Sequence, residues 1–184
     1  ASSTTSSCTT ATSVDPFYTN QWHLSNDGTL STAVSGEDAR VNPVWSGGNL
    51  GQDVLVAVVD DGLEVAHEDL KDNISTAVNG YNSRNGGTDP SHSFSSSGHG
   101  TNVGGVIAAR YNNGLGTRGA SPCATLTGRN ILESSITTSV ESTAMTQDIS
   151  KIFISNNSRG ATDSTGTLAA SSSTWQSSID SGLS

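Results

Sequence analysis

The sequence predicts an α/β domain built on a mostly parallel sheet with flanking helices. Three observations carry that prediction. Val54-Leu55-Val56-Ala57-Val58-Val59 is an unbroken apolar run rich in β-branched residues, the pattern of a strand buried on both faces. Residues 124–132 and 151–155 read as a second and a third strand, and stretches of helical character lie between the strands. Strands alternating with helices imply βαβ crossovers, which lay their strands parallel.

Residues 1–14 form a Ser/Thr-rich stretch of low complexity that reads as a flexible arm, with order beginning near Asp15-Pro16. Residues 37–46 predict a short helix weakened by Pro43. The stretch 71–98 is rich in Gly, Asn, Ser and Asp and reads as loops with one short strand at most. Residues 100–110 predict a buried helix. There Gly104 and Gly105 each cost roughly 1 kcal/mol relative to Ala but permit close approach to a sheet. A helix is expected over 137–148, where Thr138-Ser139-Val140-Glu141 fits a capping box. A last helix over 167–181 is expected to close at Gly182. The chain stops where a further strand is due, so the expectation is a domain truncated at Ser184, with an uncovered apolar sheet edge and poor independent stability.

A chain of 184 residues suffices for one domain with a core, although its hydrophobic content of 32% is low. Eight basic against 17 acidic residues give a net charge of −9, which excludes a nucleic-acid partner and suits basic ligands and calcium. No apolar run approaches the roughly 20 residues of a membrane span. The chain begins at Ala1 without a Met or a signal-peptide pattern, so removal of an upstream segment is expected. Cys8 and Cys123 lack the spacing of a redox or zinc motif. Secretion with a Cys8–Cys123 disulfide is one reading; free thiols, or pairing outside the chain, is the other.

Two motifs carry chemistry. Asp60 ends the apolar strand, on the edge where open α/β sheets place their ligands. Gly98-His99-Gly100-Thr101 holds a histidine between glycines at a helix start. A carboxylate able to fix the tautomer of an imidazole is the orienter and base of nucleophilic hydrolysis. An exposed serine in a small-residue turn is missing: Gly166-Thr167-Leu168-Ala169-Ala170 has leucine where the nucleophile would stand. A metal-dependent hydrolase using Asp60, Asp61 and His99 is a weaker reading, because no second histidine lies at ligand spacing.

Over roughly residues 15–166 the chain resembles the N-terminal part of a subtilisin-like serine protease domain of the kexin/furin branch. The resemblance rests on Gln21-Trp22-His23-Leu24, Asp60-Asp61-Gly62, His99-Gly100-Thr101 and Asn112-Asn113-Gly114. It extends through Gly128-Arg129-Asn130-Ile131-Leu132 and Ser158-Arg159-Gly160-Ala161-Thr162-Asp163. It implies that residues 15–184 belong to a subtilisin-like peptidase domain, a secreted or secretory-pathway serine endopeptidase cleaving protein or peptide substrates after basic residues. Its Asp-His-Ser triad would take its serine from a C-terminal part not in this chain, leaving these residues inactive alone. Asp60 and His99 match the first two triad members, and Ser158 and Gly160 the segment that pairs with substrate backbone. Asp163, Asp61 and Glu141 match acids of the pockets that receive basic side chains, although the capping box also accounts for Glu141. Ser96 stands where the family has a further acid, and Arg159 where it has tryptophan. The resemblance also implies Ca2+, held by Asp15, Asp69 and Asn113 with the carbonyls of Arg110, Leu115 and Thr117. A non-catalytic, protease-derived binding or structural module is the alternative, supported by Ser96 and Arg159.

Overall fold

The computed structural model describes Cys8 and residues 13–30, 32–160 and 171–183. The chain divides into two compact units, each built from three stretches of sequence. One comprises Ala1–Val54, Ala66–Ile74 and Gly104–Thr125; the other comprises Leu55–Val65, Ser75–Val103 and Leu126–Ser184. The α-helices are α1 (Val41–Ser46), α2 (His99–Ala108), α3 (Thr138–Thr146) and α4 (Ser173–Leu183); the strands are β1 (Leu55–Asp60), β2 (Tyr81–Asn82), β3 (Thr125–Asn130) and β4 (Ile154–Asn156).

The strands form one sheet in the order β2-β3-β1-β4. β1 pairs parallel with β4, Val56 opposite Ile154, and β2 pairs parallel with β3, Tyr81 opposite Arg129. Every residue of β1 is buried, as its unbroken apolar run requires. The core beside it joins Val59, Ile131 and Ala144, with Tyr81 and Val140 packed against them. α3 packs on α4. Among the described residues Arg129 is the largest fully buried side chain. Its guanidinium donates to the carbonyls of Asn79 (2.7 Å) and Gln147 (3.1 Å), which compensates for burying the charge. Among the described residues, β4 is an edge of the sheet, with Phe153 and Ile154 exposed.

In the other unit Cys8 and Cys123 are joined by a disulfide, Cα to Cα 5.5 Å, so the paired reading holds. The bridge is buried with Leu50 against Trp45 and Tyr111. Most of the expected N-terminal arm lies outside the described residues, but Cys8 within it is anchored by the bridge, and the Ser13 amide donates to the Asn112 carbonyl.

Several boundaries differ from expectation. The first helix starts at Val41, because Arg40 adopts the left-handed conformation (φ 53°). α3 is capped by Thr137, whose side chain accepts the Val140 amide, one residue before the expected box. Glu141 therefore lies one position too far along to reach back to the cap. Gly182 lies inside the last turn of α4, not beyond it. A Cβ at Gly105 would meet nothing within 4 Å, so the tight approach of α2 lies elsewhere.

Candidate active site

β1 delivers Asp60 to its carboxyl end with the side chain sealed from solvent. Its Oδ1 accepts the Asp61 amide at 2.8 Å and meets His99 Nδ1 at 2.8 Å. A carboxylate only accepts, so Nδ1 carries the proton and Nε2 keeps its lone pair. The other oxygen of Asp60 is buried and has no partner among the described residues. Its hydrogen bonding is thus concentrated on the imidazole and one amide. The His99 side chain is 59% exposed. The hydrogen bond to Asp60 and then its charge favour the imidazolium and raise the pKa above the ordinary histidine value.

The start of α2 is held against β1 by two devices. Asp61 spends both carboxylate oxygens on backbone: Oδ2 accepts the amides of Gly98 and His99, and Oδ1 that of Gly100 at 2.7 Å. Burial opposes ionisation of Asp61, but the Gly100, Gly98 and His99 amides outweigh it and hold the carboxyl below the usual range. Gly100 supplies the close approach: a Cβ there would collide with the Gly62 carbonyl and stand 2.7 Å from Asp60 Cβ. Gly62 itself has φ +134°, and a Cβ would sit 2.7 Å from the His92 amide nitrogen. A bulkier residue at either position displaces the histidine from its acid.

Glu133, three residues beyond β3, ties the loop before His99 to the same edge of the sheet. Its carboxylate accepts the amides of Ser93 and Phe94 and the Asn130 side chain. Burial works against the charge, but the donors from Asn130, Phe94, Ser93 and Ser97 prevail and lower the pKa to about 2. An open pocket of about 460 Å³ lies here, lined by Asp61, Phe94, Ser97, Leu132, Glu133 and Ser134. Two carboxylates on its wall make it electronegative.

Beyond β4, Ser158 and Gly160 are exposed. Glu141 pairs with Arg159 Nη1 at 3.1 Å. Asp163 lies outside the described residues.

The residues matched to calcium converge in the other unit. Asp15 and Asp69 are buried, 1% and 3% exposed. Asp15 accepts the Asn112 and Asn113 amides and pairs with Arg118 at 2.9 Å. Arg118 is fixed by Gln21, whose side chain donates to its carbonyl and accepts its amide, and by the Tyr18 ring at 4.2 Å. Asp69 accepts the Thr117 amide and the Asn113 side-chain nitrogen. Burial first, with the Asp15 charge adding to it, raises the Asp69 pKa. Asp15, paired with Arg118, and Asp69 are two buried carboxylates that form a hard-oxygen set a divalent cation fits, provided the Asn113 amide turns its oxygen inward. Among the described residues no three of His, Cys, Asp and Glu gather into a metal cluster, so Asp60, Asp61 and His99 do not form the metal centre of the weaker reading.

The model of the subtilase family of peptidases matches residues 51–182. The chain belongs to the subtilase family. An extracellular serine protease of Aeromonas sobria is 40% identical over 123 residues, 65% of this chain and 19% of its own length. A dibasic-processing endoprotease of Schizosaccharomyces pombe is 35% identical over 131 residues, 71% of this chain and 18% of its own length. The Aeromonas sobria serine protease solved in complex with a chaperone superposes with TM-score 0.77 at 33% identity, covering 91% of this chain and 29% of that one. The chain thus spans about a fifth of the length of the curated relatives it matches.

Against this subtilase frame, the structure brings Asp60, Asp61 and His99 together at the carboxyl end of β1; in the other unit Asn113 bonds to Asp15 and Asp69, while Arg110, Leu115 and Thr117 join them through their amides, not through the carbonyls expected as ligands. Sequence reasoning missed Glu133, although its signal was available: an acid just past the end of a buried strand, as at Asp60. It also missed the capping role of Asp61, which depends on where α2 starts.

Proposed function

We propose that the protein to which this chain belongs is a secreted, calcium-stabilised serine endopeptidase of the kexin type that cleaves after basic residues. The observation that carries the reading is the 2.8 Å bond from the exposed His99 to the sealed Asp60. His99 Nε2 takes the proton of a serine hydroxyl supplied from outside these 184 residues, and the serine oxygen attacks the peptide carbonyl. The imidazolium then returns the proton to the leaving amine. Asp60 fixes the tautomer and stabilises the imidazolium while its own proton count stays unchanged. The ionised Asp61 and Glu133 favour a cationic side chain in the neighbouring pocket. The Cys8–Cys123 disulfide supports an oxidising compartment, and among the described residues no helix is long and apolar enough to cross a membrane.

The test is hydrolysis of a peptide carrying arginine before the scissile bond, using the full-length protein. His99→Ala should lower kcat on the order of 10⁶-fold, as expected when a triad base is lost. Undiminished hydrolysis in that variant overturns the catalytic reading, and no hydrolysis by the parent favours a binding module. Calcium, if bound by Asp15, Asp69 and Asn113, stabilises the fold. At 100 times Kd the gain is about 2.7 kcal/mol, seen as a lower melting temperature in chelator and lost in Asp69→Ala. A melt indifferent to calcium and chelator counts against it.

A further inference from the structure

Glu141 and Arg159 are brought to one place by two separate elements. Glu141 is in the first turn of α3, which follows the carboxyl end of β3, and Arg159 is three residues beyond the end of β4. Both lie towards the edge of the sheet where open α/β folds bind their ligands. Arg159 Nη1 meets Glu141 Oε1 at 3.1 Å, with the side chains 15% and 23% exposed. The guanidinium carbon stands 4.8 Å from the centre of the Trp175 ring. A carboxylate beside an aromatic face is a receptor for a guanidinium, through a charge-assisted hydrogen bond and a cation–π contact. Here the chain's own arginine makes both contacts. An incoming base would have to displace it and strand a second cation beside itself.

We propose that Arg159 is a specificity-determining residue of this niche: by occupying Glu141 and Trp175 it makes the niche select an uncharged side chain of a bound peptide rather than a base. The inference rests on the peptidase reading for its ligand class, a peptide laid along the carboxyl edge of the sheet. It narrows that reading, because a basic preference beside the scissile bond then coexists with an uncharged one further away. The neighbouring Ser158 and Gly160 are exposed and can meet such a peptide through their backbone.

The experiment uses the full-length protein silenced by His99→Ala and two acetylated peptide amides, X-Ala-Ala-Arg with X either Leu or Arg, titrated calorimetrically. The parent is expected to bind the Leu peptide at least as tightly as the Arg peptide. Arg159→Ala should shift the ratio towards Arg by about tenfold, the scale of one charge-assisted contact at a partly exposed site. Adding Glu141→Gln should cancel that shift. If Arg159→Ala melts before the titration, Arg159→Met keeps the apolar stem on Trp175 and is expected to give the same shift. A parent that favours the Arg peptide tenfold, or a ratio unmoved by loss of Arg159, overturns the proposal. Absence of binding to either peptide overturns this proposal and the peptidase reading together. A Leu preference without hydrolysis by the unsilenced protein upholds the niche and condemns only the catalytic reading.

Discussion

Asp60 and His99 form a pair in which one partner is sealed and the other faces solvent, and this asymmetry gives the pair its chemistry. The buried carboxylate has little water to compete for its charge, so the imidazole in contact with it is easier to protonate. We predict that the His99 ring titrates above the ordinary value of about 6.5 when followed by NMR, and that Asp60→Asn brings the midpoint back down. In the full-length protein the same substitution should cost about 10⁴-fold in kcat, because the amide can hold the wrong tautomer. A base must be neutral to act, so activity should rise with pH through that raised midpoint. The effect on stability runs the other way. The folded state favours the imidazolium, so the contribution is present below about 6.5 and is lost as pH rises through the folded value. It is small, because the ring is 59% exposed. Both residues were legible in the sequence, since a carboxylate ending an apolar run and a histidine between glycines announce themselves. Asp61 was legible as an acid at the site, while its engagement by three amides depends on contacts no motif records.

At the scale of elements, α2 starts where it does because Asp61 caps it and Gly100 lets it touch β1 and the turn after it. Alanine is intrinsically the better helix residue by roughly 1 kcal/mol, so propensity alone predicts that Gly100→Ala stabilises. The collision with the Gly62 carbonyl and Asp60 Cβ predicts the opposite sign. We expect a net loss of about 1–3 kcal/mol by chemical denaturation, with the His99 pKa falling towards its ordinary value as the ring leaves Asp60. Stabilisation would show that α2 can shift without strain. The elements themselves were largely readable, because β1 is apolar throughout and α2 is made of small residues. Their ends were less so. Arg40 in the left-handed region shortens α1, and Thr137 instead of Thr138 caps α3. That one-residue shift frees Glu141 from capping and leaves it to Arg159.

At the scale of the molecule, each unit has its own means of stabilisation. The sheet unit rests on the buried β1 and on Arg129, whose charge is compensated by backbone carbonyls. The other unit has the disulfide and the Asp15–Asp69 cluster. The bridge spans 115 positions, a long loop whose closure restricts the unfolded chain. Cys123→Ser should therefore cost about 2–4 kcal/mol in a denaturant melt, and a difference below 1 kcal/mol would mean that Cys8 is held without the bond.

By itself the sequence determined the class of the fold and which carboxylate and which histidine stand at the candidate site. The local order of residues sets hydrophobic period, strand ends and motif spacing, and those are enough for both. The tertiary structure alone decided what each acid does with its charge. Asp60 serves an imidazole, Asp61 a helix start, Glu133 a loop, and Glu141 an arginine of the same chain. The physical reason is that a carboxylate bonds to whichever donors the fold brings within about 3 Å, and those donors lie up to 40 positions away along the chain.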